Sequence, residues 1–373
     1  MKTRRFIADR VDLVDASGIR KVFDLGAKLE DPINLSIGQP DYDVPDSVKE
    51  AAIAAIRDGY NGYTVTQGIP ELRERISAEL QRQFGWAPAV LVVSGVSGGI
   101  LLSLLACVNP GDEVIFADPY FVMYKHLIRL VGGTPVMVDT YPDFRLPADR
   151  IRAVLTDRSK ILILNSPANP TGVVLTEQEV RDAAEIAQEH DLLLITDEIY
   201  APLTYDGPCP SPIPFAKERT LLLSGFSKGQ AMTGWRLGYA AGPPEIIAEM
   251  TKLQQYTFVC APHMAQRAGV AALDADISAN VTNYRRKRNL TYEALEQVFD
   301  VVKPSGGFYF FVKAPNGYPN ATTFVERAIE NNVLIIPGNV FSERDTHFRL
   351  SYATDDDSIR RGCQILCRLA RQG

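Results

Sequence analysis

The chain has 373 residues, 46% of them hydrophobic and 23% charged, with a net charge of −6. That length exceeds what one hydrophobic core organises, so two domains are expected from an otherwise ordinary globular composition. The acidic balance argues against nucleic acid and membrane partners, no apolar run is long enough to span a bilayer, and the basic start at 1–9 lacks a secretory signal's apolar stretch.

Roughly the first forty residues show no sheet of their own and are expected to pack on a C-terminal domain. From 90 to 241 short apolar runs alternate with helical patterns, and strands are expected at 90–94, 113–117, 134–138, 161–165, 192–196, 220–224 and 237–241. Ile161-Leu162-Ile163-Leu164 and Leu192-Leu193-Leu194-Ile195 are apolar without alternation, the pattern of strands covered on both faces in a mostly parallel sheet. Thr176 with Glu179 spells a capping box, followed by Val180, Ala183, Ala184 and Ala187 at helical spacing. Beyond Pro262 a helical region reaches 299 with a break near 274–278. Strands near 308–312, 333–336 and 348–351, a helix around 322–330 and a last helix capped by Thr354 complete an α+β pattern. The expected fold is α/β: a large domain over 45–275, its mostly parallel sheet between helices, and a smaller α+β domain formed by 1–44 with 276–373.

The basic run Arg285-Arg286-Lys287-Arg288, near Glu293 and Glu296, reads as a solvated helix face. Cys107, Cys209, Cys260, Cys363 and Cys367, like the four histidines, lack metal-ligand spacing; packed, reduced thiols, no metal and a cytoplasmic location are expected.

Ligands of an open α/β sheet collect at the carboxyl ends of its strands, and several expected strand ends carry chemistry. After 90–94, Gly95-Val96-Ser97-Gly98-Gly99 opens a helix, which reads as a phosphate seat or as a tight turn. Asp197, after 192–196, reads as a partner for a ring nitrogen or as a loop acceptor; Tyr200 follows it. Ser227-Lys228 follows 220–224, and Arg236 comes eight residues after the lysine. A lysine able to form an imine with an aldehyde, and an arginine able to hold a phosphate, are what pyridoxal phosphate (PLP) requires; a solvated lysine and a packed arginine are the plain alternatives.

The stretch from Ser224 to Tyr239, with its "SK", "GWR" and "GY", resembles the lysine segment of fold-type I, class I/II aminotransferases, the aspartate aminotransferase family. Asp197-Glu198-Ile199-Tyr200 is similar to that family's "DE.Y", and Asn169-Pro170-Thr171-Gly172 to its "NPTG". Phe121 in Asp118-Pro119-Tyr120-Phe121 stands where an aromatic ring covers the cofactor. Arg349 in Phe348-Arg349-Leu350-Ser351-Tyr352 resembles the substrate-binding arginine, and Gly38 the glycine of the "GEPD"-like segment. The matches run from about 35 to 353.

The resemblance implies a PLP-dependent transaminase that moves an amino group between an L-amino acid and a 2-oxo acid, 2-oxoglutarate among them, by ping-pong kinetics through a Lys228 Schiff base. It assigns catalysis to Lys228, Asp197 and Tyr200. Cofactor contacts fall to Gly95, Val96, Ser97, Phe121, Asn169, Ser227 and Arg236, and substrate contacts to Gly38, Asn169 and Arg349. Tyr63 is implied to reach the phosphate of a neighbouring subunit in a homodimer. Two departures stand out: Ala168 precedes Asn169 where relatives are often polar, and Ser97 replaces a lysine of some aspartate-specific relatives. Segments 15–20 and 256–260 are expected to border the substrate side chain and to suit an apolar or aromatic one. A carbon–sulfur β-lyase on the same fold is the alternative; a regulatory, non-catalytic PLP-binding domain is disfavoured, because the motifs start too early to leave room for a DNA-binding domain.

Overall fold

The computed structural model describes residues 6–15, 18, 22, 25–27 and 29–372. Its strands, in chain order, begin with β1 (Ile33–Asn34), β2 (Ala89–Ser94), β3 (Glu113–Asp118), β4 (Thr134–Asp139), β5 (Ser159–Asn165) and β6 (Leu193–Asp197). They continue with β7 (Thr220–Gly225), β8 (Leu237–Gly242), β9 (Tyr309–Lys313), β10 (Val333–Leu334), β11 (Ile336–Pro337) and β12 (His347–Ser351).

The unbroken apolar run in β5 has a direct cause. Ile161 and Ile163 belong to the apolar cluster that includes Ile100 and Leu104 of the helix Gly95–Cys107. Leu162 and Leu164 belong to a second cluster with Val180, Ala183 and Ala187 of the helix Glu177–Glu189. Side chains alternate across the strand, and both faces meet helices, so every position is apolar. The Thr176 capping box at the second helix is formed in both directions, satisfying backbone groups that would otherwise lack partners.

Seven strands pair in the order β2-β8-β7-β6-β5-β3-β4. β3 pairs in parallel with β4 and β5, as do β5 with β6 and β6 with β7; β8 runs antiparallel to β2 and β7. Six strands therefore point one way and only β8 enters from the opposite end. The carboxyl ends of β2, β3, β5, β6 and β7 share one rim with the start of β8. Register fixes neighbours along it: Ser94 faces Leu237, Gly225 faces Gly238, and Asn165 faces Asp197.

The C-terminal part forms an antiparallel sheet, β11-β12-β9. β1 pairs in parallel with β10, so the early chain contributes one two-residue strand to that part. Two expectations need correction. The basic run is solvated only in its first half: Arg285 and Arg286 are exposed, Arg286 pairing with Asp356, whereas Lys287 and Arg288 are buried, paired with Asp41 and Asp206. The turn of the helix Ser278–Leu295 that carries them packs inward, and acidic residues from distant segments neutralise it. The last helix is capped by Asp355, whose carboxylate accepts from the Ser358 N–H, and Thr354 only donates to Asp355. Among the described residues no helix is long and apolar enough to cross a membrane.

Candidate active site

Along the rim lies a cavity of about 440 Å³. Lys228 reaches it three residues past β7. Its Nζ donates to the Gly38 carbonyl at 2.6 Å and lies 5.3 Å from the Tyr200 ring centre and 5.5 Å from that of Phe308. Burial, and then the Arg349 charge, push this amine down to about 7, although Asp197 pulls the other way. A lysine in that state carries substantial neutral amine near neutral pH.

Asp197 ends β6, one strand away. The Tyr124 hydroxyl donates to its Oδ2 at 2.7 Å and the Ile199 N–H to its Oδ1 at 3.3 Å. Burial pushes the carboxyl up to about 6 despite those bonds and the Lys228 charge. A protonated ring nitrogen placed against this carboxylate would restore its ionised form. On β5 the Asn165 amide donates to the Asp197 carbonyl, and its own oxygen accepts from the Asn169 N–H, locking the turn that carries Asn169.

The β2 and β8 end of the rim is built for an anion. Gly95 takes φ +64° and starts a helix with no side-chain cap, leaving its first N–H groups free for a ligand. Arg236 turns into the same corner at φ +55°, held by a bond from Nη1 to the Thr233 carbonyl. Contact is close throughout. A Cβ on Gly95 would lie 2.7 Å from Arg236 Nη2, one on Gly238 2.9 Å from the Gly95 carbonyl carbon, and one on Gly225 2.7 Å from the Gly238 Cα. Ser227 and Ser97 supply hydroxyls to this lining.

Arg349, on β12, faces the rim from across the cavity and is fully buried. Its Nη1 donates to Asn169 Oδ1 at 3.1 Å and its Nη2 to the Ser36 carbonyl at 3.0 Å, while Nε has no partner. Tyr309 and Phe341 rings lie 4.4 and 4.6 Å from the guanidinium carbon. No carboxylate of the described residues neutralises it in these bonds, which suits a substrate carboxylate. The Tyr200 and Tyr309 hydroxyls meet at 3.1 Å, and burial holds the Tyr200 phenol protonated, far above its usual range.

These groups fit PLP. In strand order the rim offers an anion seat, a lysine, a carboxylate, an asparagine and the ring of Phe121, and Arg349, lining the same cavity with only neutral partners in its hydrogen bonds, suits a further anion. Gly38, Val96, Ser97, Phe121, Asn169, Asp197, Tyr200, Ser227, Lys228, Arg236 and Arg349 all line the one cavity, with Gly95 directly behind Arg236. Tyr63 does not; it is 86% exposed. Of the segment 256–260, no residue lines the cavity; Phe258 packs by the helix Gly95–Cys107, its ring 3.6 Å from where a Cβ on Gly98 would stand, and Tyr256 is exposed. Segment 15–20 falls mostly outside the described residues.

Sequence reasoning missed Tyr124, Tyr309, Ile37, Gln39 and Thr233. Tyr124 had one signal, an aromatic hydroxyl four residues after Tyr120 at the start of an amphipathic helix. Thr233, inside the 224–239 stretch, and Ile37 and Gln39, flanking Gly38, had adjacency as their signal; Tyr309 had none.

A family model described as aminotransferase class I and II matches residues 30–366. A putative aminotransferase of Bacillus subtilis, YugH, is 39% identical, with 98% of each chain covered. A probable aspartate aminotransferase of Methanocaldococcus jannaschii is 36% identical over 96% of this chain and 98% of its own. Among solved structures, the aspartate aminotransferase of Thermus thermophilus with maleate superposes with a TM-score of 0.94 at 35% identity, covering 97% of this chain and 99% of that one.

Proposed function

This chain belongs to the class I and II aminotransferases, a PLP-dependent family, and on that premise we propose that it moves an amino group from an L-amino acid to 2-oxoglutarate in two half-reactions sharing one site. The observation that carries this is the joint lining of one cavity by Lys228, Asp197, Arg236 and Arg349.

PLP, when bound, supplies an electron-withdrawing ring that stabilises negative charge at the substrate Cα. Arg236, Ser227 and the N–H groups opening the helix Gly95–Cys107 would hold its phosphate; Asp197 would keep its ring nitrogen protonated, and Tyr200 and Asn169 would supply hydrogen bonds to its phenolic oxygen. Arg349 takes the substrate carboxylate and so fixes which Cα bond is presented for cleavage. Lys228, already depressed to about 7, takes the Cα proton and later returns one. Because both substrates use the same site in turn, ping-pong kinetics follow.

Every cation in the described lining, Lys228, Arg236 and Arg349, has a role in this scheme. The apolar walls Ile37 and Ile199 suit an uncharged donor side chain, apolar or aromatic, and the distal carboxylate of 2-oxoglutarate then draws on a group outside this lining. The exposed apolar residues Tyr63, Val65, Tyr256 and Val259 support a homodimer in which Tyr63 serves the neighbouring phosphate seat. The domain division at 45–275 against 1–44 with 276–373 belongs to the same reading.

The test is the visible spectrum of the PLP-loaded protein with single amino acids. Bleaching by a donor and recovery with 2-oxoglutarate is the expected result, and Lys228→Ala should lose turnover by several orders of magnitude. Pyruvate and ammonia released without an acceptor would replace the transaminase with a β-lyase.

A further inference from the structure

One short stretch, 36–42, touches both poles of the cavity. The Ser36 carbonyl accepts from Arg349, and the Gly38 carbonyl accepts from the Lys228 side chain. Four residues later the Tyr42 hydroxyl returns to the same lysine from behind. It lies 3.0 Å from the Lys228 carbonyl oxygen and 2.8 Å from that of Gly229, so its single proton is shared between them. Lys228 is thus gripped at its amine and at its backbone by one loop. Burial and the Asp41 charge push the Tyr42 phenol far above its usual range, so this hydroxyl stays a donor.

The loop is itself held. Asp41 is ion-paired with Lys287, a lysine whose side chain is only 6% exposed. The Asp41 N–H donates to the Tyr284 hydroxyl at 3.1 Å, and the Tyr284 ring packs 5.6 Å from that of Tyr42. Both anchors sit on the helix Ser278–Leu295, outside the sheet that carries Lys228. None of Asp41, Tyr42, Tyr284 or Lys287 lines the catalytic cavity. Their hydrogen bonds nonetheless converge on its lysine.

We propose that Tyr42, backed by the Asp41–Lys287 pair, is a positioning residue that sets where the Lys228 amine sits and keeps it against the Gly38 carbonyl. This deepens the transaminase reading and rests on it. The physical consequence is specific. If the grip on the Lys228 and Gly229 carbonyls is released, the amine leaves its buried contact and gains water. Its affinity for a proton then rises from about 7 toward that of an ordinary lysine, and proton transfer slows.

The test uses two readouts on Tyr42→Phe, Lys287→Met and Lys287→Arg. In the cofactor-free full chain, acylation of Lys228 by acetic anhydride is followed against pH by mass spectrometry. Around that amine the charged and titratable groups are Asp197, Arg349, Arg236 and Tyr200, all unchanged in these variants. The labelling midpoint is expected to rise by about half a unit or more in Tyr42→Phe and Lys287→Met, and to stay near wild type in Lys287→Arg. In the loaded enzyme, kcat should fall about tenfold in the first two while KM for the amino acid changes by less than about twofold. An unchanged midpoint in Tyr42→Phe, even with lowered kcat or melting temperature, would reduce the loop to a packing element and overturn the proposal. Should Tyr42→Phe fail to fold, the contrast between Lys287→Met and Lys287→Arg decides by the same midpoint. Failure of the transaminase reading shows separately, as a wild type that bleaches with no amino acid.

Discussion

Along the sheet rim, Lys228, Asp197 and Asn169 each stand within a few residues of a strand end, whereas across the cavity Gly38, Tyr309 and Arg349 arrive from a loop and a separate three-stranded sheet. The rim takes its spacing from backbone register, since Asn165 pairs with Asp197 and Gly225 with Gly238. The facing side has its own register, Arg349 opposite Phe311 and Ser351 opposite Tyr309, but it is tied to the rim by side-chain contacts between remote segments: Arg349 to Asn169 spans 180 positions and Arg349 to Ser36 spans 313. Ladder hydrogen bonds cannot shift one residue without refolding the sheet, so the rim suits an invariant ligand, the cofactor. Side-chain contacts can be exchanged one at a time, which suits a site that distinguishes substrates.

The sharpest way to separate the two sides is to remove one arginine from each. Arg349→Leu should lower kcat/KM for amino acids by about a hundredfold to a thousandfold while leaving cofactor affinity nearly intact, as read by visible titration with PLP. Arg236→Leu should do the reverse, weakening PLP by roughly tenfold to a hundredfold with little change in KM at saturating cofactor. If either variant lost both properties equally, the division between the sides would not hold.

A smaller effect probes the sheet side alone. Glu198, beside Asp197, is buried, accepts from the Thr196 and Ser211 hydroxyls, and is pushed by burial from 4.5 up to about 7. A carboxyl raised in the folded state binds more protons there than when unfolded. Its ionisation therefore costs nothing below pH 4.5, costs progressively more as pH rises to about 7, and costs its full amount above that. Glu198→Gln should stabilise the cofactor-free protein relative to wild type at pH 8, by up to about 3 kcal/mol, and much less at pH 5. Urea unfolding at the two pH values measures this, and equal differences at both would refute it.

The same contrast explains what the sequence made legible. Each of the seven strands stood out as an apolar run, and the residues at or after the ends of five of them, β2, β3, β5, β6 and β7, line one side of the cavity. Thr176 and Glu179 were readable because a capping box is local. Tyr124 bonding Asp197 across 73 positions, or Lys287 pairing with Asp41 across 246, has no local trace. The basic run misled for that reason: four consecutive cations suggest solvent, and only the tertiary arrival of Asp41 and Asp206 lets two of them be buried. Asp355 was passed over for its neighbour Thr354 because both residue types cap helices, and backbone angles decide which one does.

The packed glycines at Gly95, Gly225 and Gly238 also bear on how such a catalyst can change over generations. Each lies where even one added carbon would stand under 3 Å from another atom, two of them against backbone, which has no rotamer to yield. A side chain at Gly225 or Gly238 would have to move backbone, and one at Gly95 would have to move Arg236 and take a left-handed conformation. Room for change remains at Ile37, Gln39 and Thr233, side chains that line the cavity, and a library restricted to them explores specificity without spending variants on that corner.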